Sequence, residues 1–302
     1  MITESRDAWR AEGKVWGDYF VRDVRRKVED HTLRALLWSG PGDEAVALAG
    51  WELAGTLGRR GWLYLAEGYQ RRAILETFLR RLDAHGESAL PFLSWSDDVP
   101  GLPEEDRAAV FMARGFSPVV RADMRLPKGV HPPRPPSDPA RPVRPLTLED
   151  EPRIADLLYR VYAGEPERIL FATTLDERED ARRATHGLLH GDVGRWLPEA
   201  SFGIEEGGRL IAHTLANELE GGLITEVGVD PEYRRQGLAR RLLPHTIDAL
   251  RSSGFEVPRL VVTMWNPPAV SLYRHLGFDF VPGGDGRVWL NLGIFGIQPP
   301  SA

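Results

Sequence analysis

Arg234, Gly237 and Ala239 stand at the spacing R-x-x-G-x-A, a pattern suited to holding an anion. The apolar run from Ile224 to Val229 reads as a strand. Asp230-Pro231-Glu232 ends it, because Pro has no N–H to give a ladder. Leu238, Ala239, Leu242, Leu243, Ile247 and Leu250 then recur at helical intervals. At such a strand–turn–helix junction, small residues let the backbone approach a ligand closely. The N–H groups of the first helical turn lack internal partners, and the positive dipole end faces the same way. A phosphate is the natural occupant, and Arg234, Arg235, Arg240 and Arg241 add positive charge around it. The bland alternative is a turn that needs glycine only for its backbone angles.

A second constellation follows. Leu260 to Trp265 is a β-rich run. Asn266 can cap a helix that starts at Pro267, a position that suits a residue without an N–H. Val270, Tyr273 and Leu276 continue on that helix until Gly277-Phe278 stops it. Pro244 lies inside the preceding helical pattern, where it costs about 3 kcal/mol, so a kink or a division of that helix is expected there.

The elements that must position these residues can be read in order. In the second half, residues 144–150 form a short strand and a helix start, and Ile154, Leu157, Leu158 and Val161 give the helix its apolar stripe. Residues 164–196 hold one or two helices. Ser201–Glu205 and Arg209–Leu219 form a hairpin about Gly207-Gly208. Gly283 to Gly286 reads as a turn between two closing strands, the last running from Arg287 to Phe295. In the first half, a helix falls within the first 30 residues. A hairpin spans residues 34–53, a strand 62–66, an amphipathic helix 71–84, a strand 89–95, a helix 103–113 and a strand 119–126. Prolines crowd residues 127–145, which reads as a semi-rigid spacer. The expected domains are therefore 1–127 and 144–302, with a Pro-rich linker at 128–143.

Composition narrows the classes. The chain has 302 residues, 42% hydrophobic and 27% charged, with a net charge of −6 and no cysteine. This is a globular composition. The negative balance argues against nucleic acid or an anionic membrane as the main partner. Without cysteine there is no disulfide, thiolate metal site or cysteine nucleophile. No apolar run reaches the length of a membrane span, and the expected location is the cytoplasm.

Taken together, Val229-Asp-Pro231, Arg234-x-x-Gly237-x-Ala239 and Asn266, Ala269, Tyr273, Gly277, Phe278 resemble the signature of the Gcn5-related N-acetyltransferases (GNAT). The resemblance covers residues 144–295 in element order. It implies an α/β (α+β) fold whose mixed, mostly antiparallel sheet is flanked by helices, and acetyl-CoA as co-substrate with no metal. By resemblance, backbone groups of Val227, Gly228 and Val229 hold the pantetheine arm and acetyl carbonyl. Arg234, Arg235, Gln236, Gly237, Leu238, Ala239 and Arg240 form the pyrophosphate loop, and Asn266 bonds the pantetheine arm. Tyr273 donates a proton to the leaving thiolate. Glu226 is the first candidate for the general base, with Glu218 and His213 as second choices and a water relay as a further one. Alternation along the strand leaves open which way Glu226 faces.

The first half repeats the second: hairpin, strand, helix, strand, helix, Gly-Phe, strand. Tyr69-Gln70-Arg71 replaces the glycine loop and Phe111 replaces the tyrosine, so a tandem fold with a degenerate N-terminal copy is expected. The resulting expectation is an N-acetyltransferase, attacking directly in a ternary complex. Its acceptor would be a small-molecule amine or a protein N-terminus, and the protein a monomer or homodimer. Two alternatives stand beside it. One is a non-catalytic acyl-CoA-binding module. The other is an acyltransferase similar to mycothiol synthases, whose strand carries an acid where this chain has Leu223.

Overall fold

Alternating and continuous apolar runs build β-strands that amphipathic helices cover. The computed structural model describes Glu29 and residues 33–54, 58–84, 91–96, 99, 101–170 and 177–295. The helix expected in the first 30 residues lies outside these apart from Glu29. The chain divides into two compact units, one holding the described residues up to Arg121 together with those from Gly283 onward, the other Ala122–Pro282.

In the first unit, β1 (Arg34–Ser39), β2 (Ala45–Ala54) and β3 (Gly58–Leu65) form an antiparallel meander, and β4 (Phe92–Ser96) runs parallel to β3. Helix α1 (Arg72–Ala84) connects β3 to β4, and α2 (Glu104–Met112) follows. Leu75, Phe78, Leu79 and Leu82 fall on one face of α1 and are buried with Leu63, Leu65, Trp95 and Phe111. Strand β5 (Ser117–Arg125) ends this half of the sequence.

The second unit orders its strands β6 (Val143–Pro145), β8 (Phe202–Glu206), β9 (Arg209–Glu218), β10 (Gly222–Val229) and β11 (Arg259–Thr263). The first four are antiparallel and β10–β11 is parallel; β7 (Arg195–Trp196) pairs the end of β9. Two packed layers enclose the sheet. Helices α3 (Glu151–Tyr162) and α4 (Arg178–His190) bury Ile154, Leu157, Val161 and Leu188 against Leu210 and Leu215. Helix α5 (Leu238–Ser252) buries Leu243, Ile247 and Leu250 against Ala216, Ile224 and Leu260. Residues 210–217 of β9 are consequently buried on both faces. Helix α6 (Pro267–His275) and strand β12 (Asp279–Leu290) follow.

Of the kink or division expected at Pro244, the division does not occur, because α5 runs unbroken through it. Burying Leu238, Leu242, Leu243, Ile247 and Leu250 contributes about 1.5–3 kcal/mol each, outweighing the roughly 3 kcal/mol that the proline costs. Residues 283–286 are not a turn between strands; β12 passes straight through them, and its end pairs antiparallel with β4 from Val288↔Ser96 to Leu290↔Ser94. The described residues from Gly283 onward group with the first unit. The proline-rich segment is not a bare spacer either. Arg251 donates to the carbonyls of Pro127 (3.0 Å) and Val130 (2.7 Å), Arg241 to that of Arg141, and Arg134 pairs with Asp248. Segment 127–141 thus belongs to the second unit, fastened along α5 by arginines of that helix.

The two helix ends that carry Gly-Phe are copies in detail. Phe116 N–H donates to Phe111 C=O (3.1 Å) and Gly115 N–H to Met112 C=O (3.0 Å); Phe278 N–H donates to Tyr273 C=O and Gly277 N–H to Arg274 C=O, both at 3.0 Å. Both glycines are left-handed, with φ of 81° and 93°. This is the Schellman closure of a helix. In each copy the aromatic pair meets edge-on with ring centroids 6.1 Å apart.

Candidate active site

Strand β10 carries an irregularity that sets the site. Its register against β9 runs Ile224↔Ala216 and then Glu226↔Leu215, so Thr225 is an extra residue. A bulge of this kind bends a strand and re-aims its side chains. Thr225 is held by its hydroxyl, which donates to Asn217 Oδ1 (2.7 Å). Pairing with β11 covers Leu223↔Arg259 and Ile224↔Leu260. Among the described residues, Val227, Gly228 and Val229 pair with β9 alone, leaving their other backbone edge open to an extended ligand.

Beyond β10, Asp230 is buried and fixes the loop. It accepts from Arg160 Nε (2.7 Å), Arg209 Nη2 (2.5 Å) and Glu232 N–H (3.1 Å). Burial raises its pKa, but these bonds prevail and the carboxyl is held below the usual range. Arg235 and Gly237 follow with φ of 62° and 78°, and Gly237 is the N-cap of α5. A Cβ at Gly237 would meet nothing within 4 Å, so space lies open above the turn. The first bond of the helix is Arg241 N–H to Gly237 C=O (3.1 Å). The N–H groups of Leu238, Ala239 and Arg240 therefore have no helical acceptor and sit at the positive dipole end.

The arginines expected around this anion site are mostly engaged elsewhere. Arg234 donates to Glu165 Oε1 (2.6 Å) and Val161 C=O (3.0 Å), tying the loop to the end of α3. Arg241 turns toward Asp138 and Arg141. Arg240 donates to His275 Nε2 at 2.9 Å, and Gln236 accepts from Arg141 at 2.8 Å. Arg235 is exposed. The loop's capacity to bind an anion rests on backbone more than on these side chains.

Glu226 does not face solvent. It is buried, and the hydroxyl of Tyr162 lies 3.1 and 3.2 Å from its two carboxylate oxygens. Tyr273 is buried too; burial first, then the charges of Glu226 and Glu167, push its phenol well above the ordinary range. The same causes raise Tyr162. Both phenols are therefore protonated at neutral pH. Asn266 caps α6 by accepting from Ala269 N–H (3.1 Å), and its amide donates to Glu167 at 3.1 and 3.3 Å. The side chain thus has protein partners at both ends.

The second-choice bases do not join this group. Glu218, at the exposed end of β9, is paired with Arg195 (2.6 Å). His213 is fully buried with neither ring nitrogen hydrogen-bonded, and burial, with the nearby Arg160 charge, lowers its pKa to about 3. It lies across the ladder from Gly228, where an added Cβ would come within 3.0 Å of its Nε2. The sequence did not single out Tyr162, Glu165, Glu167 or Asp230. Tyr162 follows the apolar stripe of α3 by one residue, a usable signal; Glu165 and Glu167 lie in a segment without a pattern.

The chain is 30% identical over 280 residues to mycothiol acetyltransferase of Thermobispora bispora, which is 85% of this chain and 87% of that protein, and the model of the acetyltransferase (GNAT) family matches residues 166–278. The chain belongs to the GNAT acetyltransferase family. It is also 35% identical over 95 residues to the ribosomal protein bS18-alanine N-acetyltransferase of Escherichia coli K12; that match spans 64% of the relative's length and 29% of this chain. Among solved structures, a tandem GNAT protein from the clavulanic acid biosynthesis pathway shares the fold with a TM-score of 0.54 at 15% identity, over 85% of this chain and 82% of that one. The bulged β10, the open edge at Val227–Val229 and the α5 N-terminus stand within the stretch that the family model matches. In the first unit Phe111 takes the place of Tyr273 and stacks on Trp289 with centroids 5.2 Å apart. Tyr69 donates to Glu44 Oε1 (2.8 Å) where the second unit has its glycine loop.

Proposed function

We propose that the second unit transfers an acetyl group from acetyl-CoA to a primary amine by direct attack. The observation that carries this reading is the convergence of a buried carboxylate, Glu226, and a protonated phenol, Tyr273, beside an open strand edge and a bare helix N-terminus. The strand edge suits an extended pantetheine arm, and the α5 N-terminus suits the pyrophosphate. Glu226 takes a proton from the ammonium substrate, directly or through water, so that nitrogen carries a lone pair. The nitrogen attacks the thioester carbonyl and forms the C–N bond. As the C–S bond breaks, Tyr273 gives its O–H proton to the departing sulfur, and the nitrogen sheds its second proton, which restores the phenol. The products are an acetamide and free coenzyme A thiol.

The acceptor is a small amine or a protein N-terminus. The named activities of the two curated relatives divide along that line. Leu223 is buried and apolar where mycothiol synthases carry an acid, which favours an acceptor different from theirs. The test is thiol release from acetyl-CoA over a panel of N-terminal peptides and small primary amines. Tight coenzyme A binding with no release from any member would refute the transferase reading and leave a binding module.

A further inference from the structure

We infer that Glu151, His186 and His190 form a binding site for a divalent transition-metal ion, Zn2+ being the best matched. His186-x-x-x-His190 lies on α4, where a spacing of four puts both imidazoles on one helical face. Glu151, the first residue of α3, sits opposite them. Its Oε1 lies 3.0 Å from His186 Nδ1 and its Oε2 3.0 Å from His190 Nε2. The two rings stack with centroids 4.1 Å apart. One ligand atom from each of the three residues falls within 4.8 Å of the others, the one such group among the described residues.

A tetrahedral ion with bonds of about 2.0–2.1 Å needs donor atoms roughly 3.3 Å apart. The carboxylate–imidazole spacings are already close to that. Two imidazoles and one carboxylate suit first-row transition ions and not Mg2+ or Ca2+, which take oxygen. The histidine side chains are 65% and 41% exposed, so solvent reaches the site and water can fill a fourth position. Without an ion, the N–H groups bond Glu151; an ion would replace those two protons by two bonds. It would fasten the start of α3 to the end of α4. Helix α3 carries Tyr162 at its other end, so the ion would stiffen the support of Glu226. This departs from the sequence expectation of no metal, although the H-x-x-x-H spacing was there to be read.

The test uses the full chain, freed of metal by a chelator. Zn2+ alone is titrated in competition with a chromophoric chelator, and Co2+ is followed by its visible absorption. The expected result is one ion per chain in the wild type. Affinity should fall by about tenfold or more in each of Glu151→Gln, His186→Gln and His190→Gln, and the Co2+ bands should disappear in the triple variant. Thermal melts without metal check that each variant is folded, and His131→Ala serves as an unaffected control. Equal Zn2+ affinity in wild type and triple variant, or no binding by the wild type, would overturn the site.

Discussion

The hydroxyl of Tyr162, at the last turn of α3, lies within 3.2 Å of both carboxylate oxygens of Glu226, on the bulged strand β10. The bond joins the layer of α3 to the sheet at the point where the strand's open edge begins. If Glu226 is the base, Glu226→Gln should lower kcat by about 100-fold or more, since general base catalysis is worth 10²–10⁴. Tyr162→Phe should cost about tenfold, and the double variant should lose less than the product of the two, because the residues act as a unit. Strictly multiplicative losses in a thiol-release assay would separate Tyr162 from Glu226.

Tyr273 is the proposed acid. Tyr273→Phe keeps the ring in its contact with Phe278 and removes only the proton donor. We expect kcat to fall by at least tenfold while coenzyme A affinity, measured by calorimetry, stays within about twofold. The raised phenol also has a pH consequence. Its protonated form persists as pH rises through the ordinary tyrosine value of about 10. The alkaline fall in kcat assigned to this group should accordingly lie above that value. A limb at or below pH 10 that vanishes in Tyr273→Phe would contradict the environment described.

His213 is held neutral, with a pKa lowered to about 3 from 6.5. A group depressed on folding contributes stability above its unfolded pKa and loses it as pH falls through that value toward the folded one. Between about pH 6.5 and pH 3 this histidine should remove roughly 1 kcal/mol of stability per pH unit. Denaturant unfolding at pH 7.5 and pH 5 should show a smaller acid loss in His213→Leu than in the wild type. An identical pH dependence of the two proteins would show that His213 is not the sensitive group.

Gly237 tests the loop in two ways at once. A side chain there must adopt the left-handed conformation, at about 1–2 kcal/mol, and would project into the space above the α5 N-terminus. Gly237→Ala should lower the melting temperature by a few degrees. Gly237→Val should in addition weaken coenzyme A binding by more than its loss of stability explains. Unchanged coenzyme A affinity in a folded Gly237→Val protein would remove the loop from the binding site.

The local signals determined a great deal. The 3.6-residue periodicity of α1, α3 and α5, the Gly-Gly hairpin, the Asn266 cap and the two Gly-Phe stops are each encoded by near neighbours, so they could be read in order. Together with the spacing of Arg234, Gly237, Asn266 and Tyr273 they were enough to reach the family. What the sequence could not decide involves residues brought together over long separations. Whether Glu226 faces a helix or solvent depends on the bulge at Thr225, which is held through Asn217 on another strand. That Arg234 and Arg241 reach other segments of the chain depends on Glu165 and Asp138, which no periodic pattern marks. The endurance of α5 through Pro244 is settled by the apolar area that the helix buries. Tertiary structure alone decided the site's carboxylate–phenol grouping, because burial and pairing, rather than residue type, set which groups hold or release a proton.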